Sequence, residues 1–134
     1  MKHSTNKSWL VFGNAKRCNH TKSLHETEFI NWTQAHTKFN IGDTIYLFVS
    51  DERRIRFELI VTSMNEERQD SSYWIEEAPN DMTFRLELVD EYFGYELDEI
   101  ELKMHGFKGG RSLQRPMCRN QELFEYIAEC FCYM

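Results

Sequence analysis

The sequence predicts one α+β domain over residues 1–134, with a curled, mixed sheet of five to six strands flanked by two to three helices. Strand patterns fill the middle of the chain, short turns separate them, and a helical pattern closes the chain. The length is that of a single domain, 41% of the residues are hydrophobic, and only two are proline. A small barrel would remove the exposed edges of such a sheet.

Four segments carry strand signals. Residues 8–14 are rich in aromatic and β-branched side chains, and residues 39–50 place turn-forming residues before a near-continuous apolar run at 45–49. Such a run predicts a strand covered on both faces. Residues 54–64 alternate and predict a second strand antiparallel to it, and residues 83–90 also alternate. The positions expected on one face of the second strand are Ile55, Phe57, Leu59 and Val61.

Helical signals lie near the start and at the end of the chain. Partial helical spacing predicts a short helix over residues 22–32, with Thr21 or Ser23 as its N-cap. Residues 95–104 fit a strand or a helix, and a strand followed by a turn is favoured. Asn120 is the expected N-cap of a closing helix. The buried stripe of that helix is expected to be Leu123, Phe124, Ile127 and Phe131.

The net charge is −6, and the charges are segregated along the chain. Residues 1–40 and 103–119 are mainly basic, whereas acidic residues concentrate in 87–101. A polarised chain can present one basic face to nucleic-acid phosphates despite its negative total. The alternative is that this segregation does not persist in space. The acidic segment would face a separate effector protein or only water.

Motif signals for a membrane, a metal or a catalytic centre are weak. No apolar run approaches the roughly 18 residues of a membrane span, and residues 1–8 are polar, so we expect a cytoplasmic protein without a membrane partner. One C-x-C pair and two isolated cysteines lack the spacing of a zinc site. The sequence contains no Walker, G-x-S-x-G or HExxH motif. We therefore expect no cofactor, no metal and no catalysis.

Four segments, in this order and spacing, carry a family resemblance: WLVFGNAKR, INWTQ, FNIGDTIYLFVSDERRIRFELIVTS and FKGGRSLQRP. Together they resemble the EVE domains of the PUA-like superfold, to which the YTH readers of methylated adenine are structurally related. The resemblance spans Trp9 to about Arg115, and IGDTIYLFVS is its most specific part. It implies a twisted β-barrel with a pocket at one mouth that receives a modified base from DNA or RNA.

The resemblance also implies roles for particular positions. Trp32 matches one aromatic wall of the pocket, and Trp74, in a polar loop, matches a second wall. Thr33 would offer backbone groups to the base, and Asn14 would contact the base edge. The full set of implied binding residues is Asn14, Trp32, Thr33, Ser50, Trp74, Arg111 and Ser112. The candidate phosphate contacts are Lys16, Arg17 and Lys108.

Physical chemistry supports two walls rather than one. Stacking a base on an aromatic side chain is worth roughly 1–3 kcal/mol, and extruding a paired base costs a few kcal/mol. One wall barely offsets that cost, so a second wall and hydrogen bonds are needed. Simpler interpretations stand beside this one: Trp9 is better explained as core, Trp32 fits either core or pocket, and Asn14 could simply end a strand.

Two other functions are compatible with the sequence. A PUA-like regulatory domain would bind a different small ligand. A small thiol-dependent hydrolase would use Cys18, which lies close in sequence to His20 and His25, with Lys16 and Arg17 favouring the thiolate.

Overall fold

A computed structural model describes residues 6–108, 114–116 and 120–132. The α+β class is confirmed. The strands are β1 (Ser8–Gly13), β2 (Phe29–Thr33), β3 (Thr44–Val49), β4 (Arg54–Glu67), β5 (Met82–Glu91) and β6 (Gln114–Pro116). The helices are α1 (His20–Thr27), α2 (Glu99–Lys103) and α3 (Gln121–Cys132), and a 3₁₀ turn covers Ser71–Tyr73. None of the described helices is long and apolar enough to cross a membrane.

The six strands form one mixed sheet in the order β2-β5-β4-β3-β1-β6. β1 and β3 pair in parallel, and the other neighbours pair antiparallel, as expected for β3 and β4. In the described part of the chain, the end strands β2 and β6 are not paired with each other. The sheet is therefore open there, and the barrel closure expected from the sequence is not seen.

Each face of the sheet carries its own hydrophobic core. One core joins the sheet to α1 through Leu24, and the other joins it to α2 and α3. β3 contributes to both, because five of its six residues are buried. This confirms the prediction of a strand covered on both faces.

A β-bulge in β4 corrects the prediction that its alternating residues share one face. Leu47 pairs with Phe57, but the next β3 residue, Phe48, pairs with Ile55. Arg56 is the extra residue, so the alternation reverses there. Ile55 consequently packs in the core under α2 and α3, whereas Phe57 packs in the other core with Leu59 and Val61.

The predicted helix over 22–32 is wrong in its second half. α1 ends at Thr27, and Glu28 takes a left-handed conformation with φ 66° that stops the helix. The chain then enters β2, where Ile30 pairs with Leu86 of β5 and is fully buried. The N-cap is also different: Asn19, not Thr21 or Ser23, accepts the Lys22 N–H at 3.0 Å.

The C-terminal elements follow the predictions more closely. Asn120 caps α3 by accepting the Leu123 N–H at 3.2 Å. Of the expected stripe, Leu123, Ile127 and Phe131 are buried, and Phe124 is half-buried. The favoured strand within 95–104 is wrong, because Glu99–Lys103 form the short helix α2, which places Leu102 in the core.

Asp43 ties the start of β3 to β1 and to the loop before it. Its carboxylate is fully buried and accepts the Trp9 indole N–H at 2.8 Å. It also accepts the backbone N–H groups of Lys7 and Asn40, at 2.9 and 2.8 Å. Trp9 is thus a core residue, as its strand setting suggested, with its one polar atom satisfied.

We predict that Asp43→Ala lowers the free energy of unfolding by roughly 2–4 kcal/mol, since the buried Trp9 indole N–H and two partly buried backbone N–H groups lose their acceptor together. Urea denaturation measures the change. Asp51→Ala removes an exposed aspartate from the β3–β4 turn and is the matched control, for which little change is expected. Equal unfolding midpoints for the two variants would contradict the role of Asp43.

Candidate functional site

A cleft of about 640 Å³ opens where the ends of β1 and β2 meet the loop after β4. Trp32 and Trp74 both line it, as do Asn14 and Thr33. Four residues predicted from the sequence to bind a ligand therefore lie along one cavity. The remaining lining residues are Phe12, Arg17, Cys18, His20, Asn31, Ala35, His36, Thr37, Arg68 and Pro79.

Trp74 is held rigidly although it lies in a loop. Its indole N–H donates to Asp70 at 3.1 Å, and the Arg68 guanidinium lies 4.9 Å from its ring centroid. Its backbone forms an isolated antiparallel bridge with Cys18, which anchors the loop to the segment between β1 and α1. Trp74 is therefore a fixed surface of the cleft rather than a mobile side chain.

A buried ion pair holds Trp74 in place, and its two residues were not predicted from the sequence. Arg68 donates to Asp70 at 2.9 Å, and their side chains are only 4% and 1% exposed. Arg68 also donates to the Asn31 carbonyl and to the Thr33 hydroxyl, both at 3.1 Å. The second oxygen of Asp70 accepts the Asn31 N–H at 3.0 Å. The pair therefore joins the Trp74 loop to β2.

The local sequence offers little sign of this pair. Arg68 and Asp70 lie in the polar stretch NEERQDSS, which has the composition of an exposed loop. The one available signal is the aromatic island that follows it, Tyr73 to Ile75, since a tryptophan at a loop needs a partner for its indole N–H.

Trp32 has both of the roles that the sequence left open. It lies in β2 opposite Phe84, and its half-buried side chain packs against the core that contains Leu24. It also lines the cleft, where its ring centroid is 5.7 Å from that of His20. Core packing thus holds the wall in place.

Asn14 directly follows β1 and also lines the cleft. Its side-chain oxygen accepts the Lys16 N–H at 3.0 Å, and its carbonyl accepts the N–H groups of Arg17 and Cys18. No described residue accepts a hydrogen bond from its side-chain nitrogen, so that donor is available at the cleft. Ser50 does not line the cleft; it accepts the Ala15 N–H at 2.8 Å and fixes this loop.

The remaining predicted binding residues fall into three groups. Arg17 lines the cleft and pairs with Glu76 at 2.6 Å, and Lys16 is exposed beside it in sequence. Lys108 is exposed but does not line the cleft. Arg111 and Ser112 lie outside the described residues.

Cys18 and His20 are both uncharged near neutral pH. Burial, with a smaller contribution from Asp70, raises the pKa of the Cys18 thiol to about 12. Burial also lowers the pKa of His20 to about 4 and outweighs the opposing effect of Asp70. The expectation that Lys16 and Arg17 would favour a Cys18 thiolate is therefore wrong. Among the described residues, no group of three or more His, Cys, Asp or Glu side chains is placed to hold a metal ion.

We predict that Asp70→Asn lowers the free energy of unfolding by roughly 1–3 kcal/mol, because it weakens one of two carboxylate partners of the buried Arg68, which keeps Asp81 at 3.2 Å. The fluorescence of Trp74 should also change in the folded state, since its indole loses a charged acceptor. Chemical denaturation and emission spectra measure the two effects. The control is Glu76→Gln, which disrupts the exposed pair with Arg17 and should alter neither.

We predict that Cys18 resists thiol reagents in the folded protein, because it is fully buried and protonated. Cys132 is exposed and should react first. Titration with a chromogenic disulfide measures the rates. Cys132→Ser should remove a fast phase, whereas Cys18→Ser should leave every fast phase in place. A fast phase lost with Cys18 would restore the thiol-enzyme hypothesis.

The chain matches no protein-family model and no curated protein.

Proposed function

We propose that the protein is a nucleic-acid-binding module that holds one flipped-out, modified base in the cleft, without catalysing a reaction. The observation that carries this proposal is that Trp32 and Trp74, far apart in sequence, line a single cavity. The cavity volume of about 640 Å³ lies within the range of small-molecule sites.

The polar groups of the cleft, like its two tryptophan walls, are compatible with a nucleobase. Stacking on aromatic rings tolerates any base, so selectivity needs hydrogen bonds at the base edge. Asn14 offers an amide donor, and His20 offers a neutral imidazole. A methyl group adds apolar area against the tryptophans, which favours a modified base over an unmodified one.

The proposed family is the EVE domain of the PUA-like superfold. Two features support it beside the sequence resemblance: the α+β class, and a mixed sheet whose β1 and β3 strands, both in matching segments, are parallel neighbours. In this proposal Lys16 and Arg17 contact phosphates beside the cleft, since both are exposed next to Asn14. Arg17 would exchange Glu76 for a phosphate.

The alternative of a thiol-dependent hydrolase loses its main premise, a reactive Cys18. A nucleophilic cysteine needs a thiolate, and burial keeps Cys18 protonated. No observation favours it over binding. A PUA-like domain for a different small ligand would use the same cleft, and the experiment below separates it from base reading.

We predict that Trp74→Ala and Trp32→Ala each weaken binding of a modified oligonucleotide by roughly fivefold to a hundredfold, as expected for the loss of one stacking surface worth about 1–3 kcal/mol. Fluorescence polarisation with short DNA and RNA strands carrying one methylated or hydroxymethylated base measures the affinities. Phe93→Ala is the matched control, because Phe93 is an aromatic residue, 73% exposed, that does not line the cleft.

Melting temperatures distinguish a lost wall from a lost fold. Trp32 also packs on the core, so Trp32→Phe is a milder second variant that keeps a smaller ring. Equal affinity of the native protein and both folded tryptophan variants would falsify the pocket assignment. If no oligonucleotide binds but a metabolite raises the melting temperature, the cleft serves a different small ligand.

A further inference from the structure

His20 is an unusual residue among those that line the cleft. It is the first residue of α1 and is only 8% exposed. Buried polar side chains nearly always have a hydrogen-bond partner. In the described part of the chain, neither imidazole nitrogen of His20 has one, and neither is a fully buried unpaired atom, so neither is sealed from solvent. The side chain therefore carries an unused donor and an unused acceptor at a cavity wall.

The groups around His20 hold its ring in place but form no hydrogen bond with it. On one side its ring contacts that of Trp32, with centroids 5.7 Å apart. On another side Nδ1 lies close to the end of β1, where Gly13 allows the approach: a Cβ at Gly13 would lie only 3.1 Å from that nitrogen. Neither neighbour forms a hydrogen bond with the ring, so together they fix its position but use neither hydrogen-bonding capacity.

We propose that His20 reads the polar edge of the bound base and so determines which base the cleft accepts. This inference rests on the proposed base-binding function and adds the residue that supplies its specificity. A rigid neutral imidazole presents one donor and one acceptor, which matches the uncharged edge of a nucleobase. It discriminates because a base that fills the cleft covers these nitrogens, and a base that lacks the complementary atom leaves a covered nitrogen unpaired.

The charge state of His20 supports an uncharged ligand edge rather than a phosphate. The charged groups that act on His20 are Asp70 and Arg68, which pair with each other and have opposite effects on its pKa. Burial dominates and holds the ring neutral at pH 7. A phosphate anchor needs positive charge, which a neutral imidazole does not supply. His20 therefore belongs to the base-contacting set, and the exposed Lys16 belongs to the phosphate-contacting set.

The test compares His20→Phe with Lys16→Ala at pH 7.5, using the same DNA and RNA strands with one 5-methylcytosine, 5-hydroxymethylcytosine or N6-methyladenine and their unmodified counterparts. His20→Phe keeps an aromatic ring and removes both nitrogens. We expect it to weaken binding of the preferred strand by about tenfold, the loss of one hydrogen bond to a buried group. It should also reduce the preference for that strand over its unmodified counterpart.

Salt dependence separates a base contact from a phosphate contact. For His20→Phe, the slope of log Kd against log salt concentration should match that of the native protein. For Lys16→Ala, the slope should fall by about one, and the preference among bases should stay unchanged. A smaller salt slope in His20→Phe, with unaltered base preference, would assign His20 to the phosphate path and overturn the inference.

A second measurement covers the case in which His20→Phe does not fold. His20→Gln restores a donor and an acceptor and should recover part of the preference. In the native protein, the imidazole ¹⁵N resonances of His20 should shift when the preferred strand is added. If native protein binds, depends on Trp74, and shows neither the shift nor a loss of preference in a folded His20 variant, the inference about His20 fails alone. If the native protein binds none of the strands, the proposed function fails and the inference falls with it.

Discussion

The candidate site depends on one buried ion pair, Arg68 with Asp70. The Trp74 loop is not a strand of the sheet and needs a separate link to β2. This pair supplies the link, because Arg68 donates to Thr33 and Asp70 accepts the Trp74 indole N–H. Charges this deeply buried are costly unless both are hydrogen-bonded, and here both are. Two walls of the cleft are thereby held at one spacing before any ligand arrives.

That pre-organisation has a consequence for recognition. A binding site that is already rigid loses little conformational entropy on binding, so stacking energy contributes more fully to affinity. Trp32 is held by core packing, and Trp74 is held by hydrogen bonds and a guanidinium contact. The two walls therefore differ in what stabilises them, and a mutation in the core should disturb Trp32 more than Trp74. His20 lines the same cleft from a third element, α1.

Local patterns predicted the elements that are governed by their own side chains. The apolar run of β3, the alternation of β5 and the Asn120 cap of α3 each follow from short-range chemistry. Errors arose where a distant partner decides the outcome. Leu24 and Phe29 give residues 22–32 partial helical spacing, yet pairing with β5 draws Phe29 into a strand. The bulge at Arg56 likewise depends on the register with β3 and has no local signature.

The α+β class, the positions of most strands and the aromatic and amide candidates for a pocket follow from the amino-acid sequence. The three-dimensional arrangement was needed to show that Trp32, Trp74 and Asn14 line the same cleft. It was also needed to show that Ser50 supports the cleft from outside and that His20 is part of it. The difference arises because helix caps and strand alternation depend on residues close in sequence. A cavity is formed by segments that are distant in sequence and meet through sheet pairing. Arg68 and Asp70 show this most clearly, since burial alone turns a polar-loop composition into the support of the site.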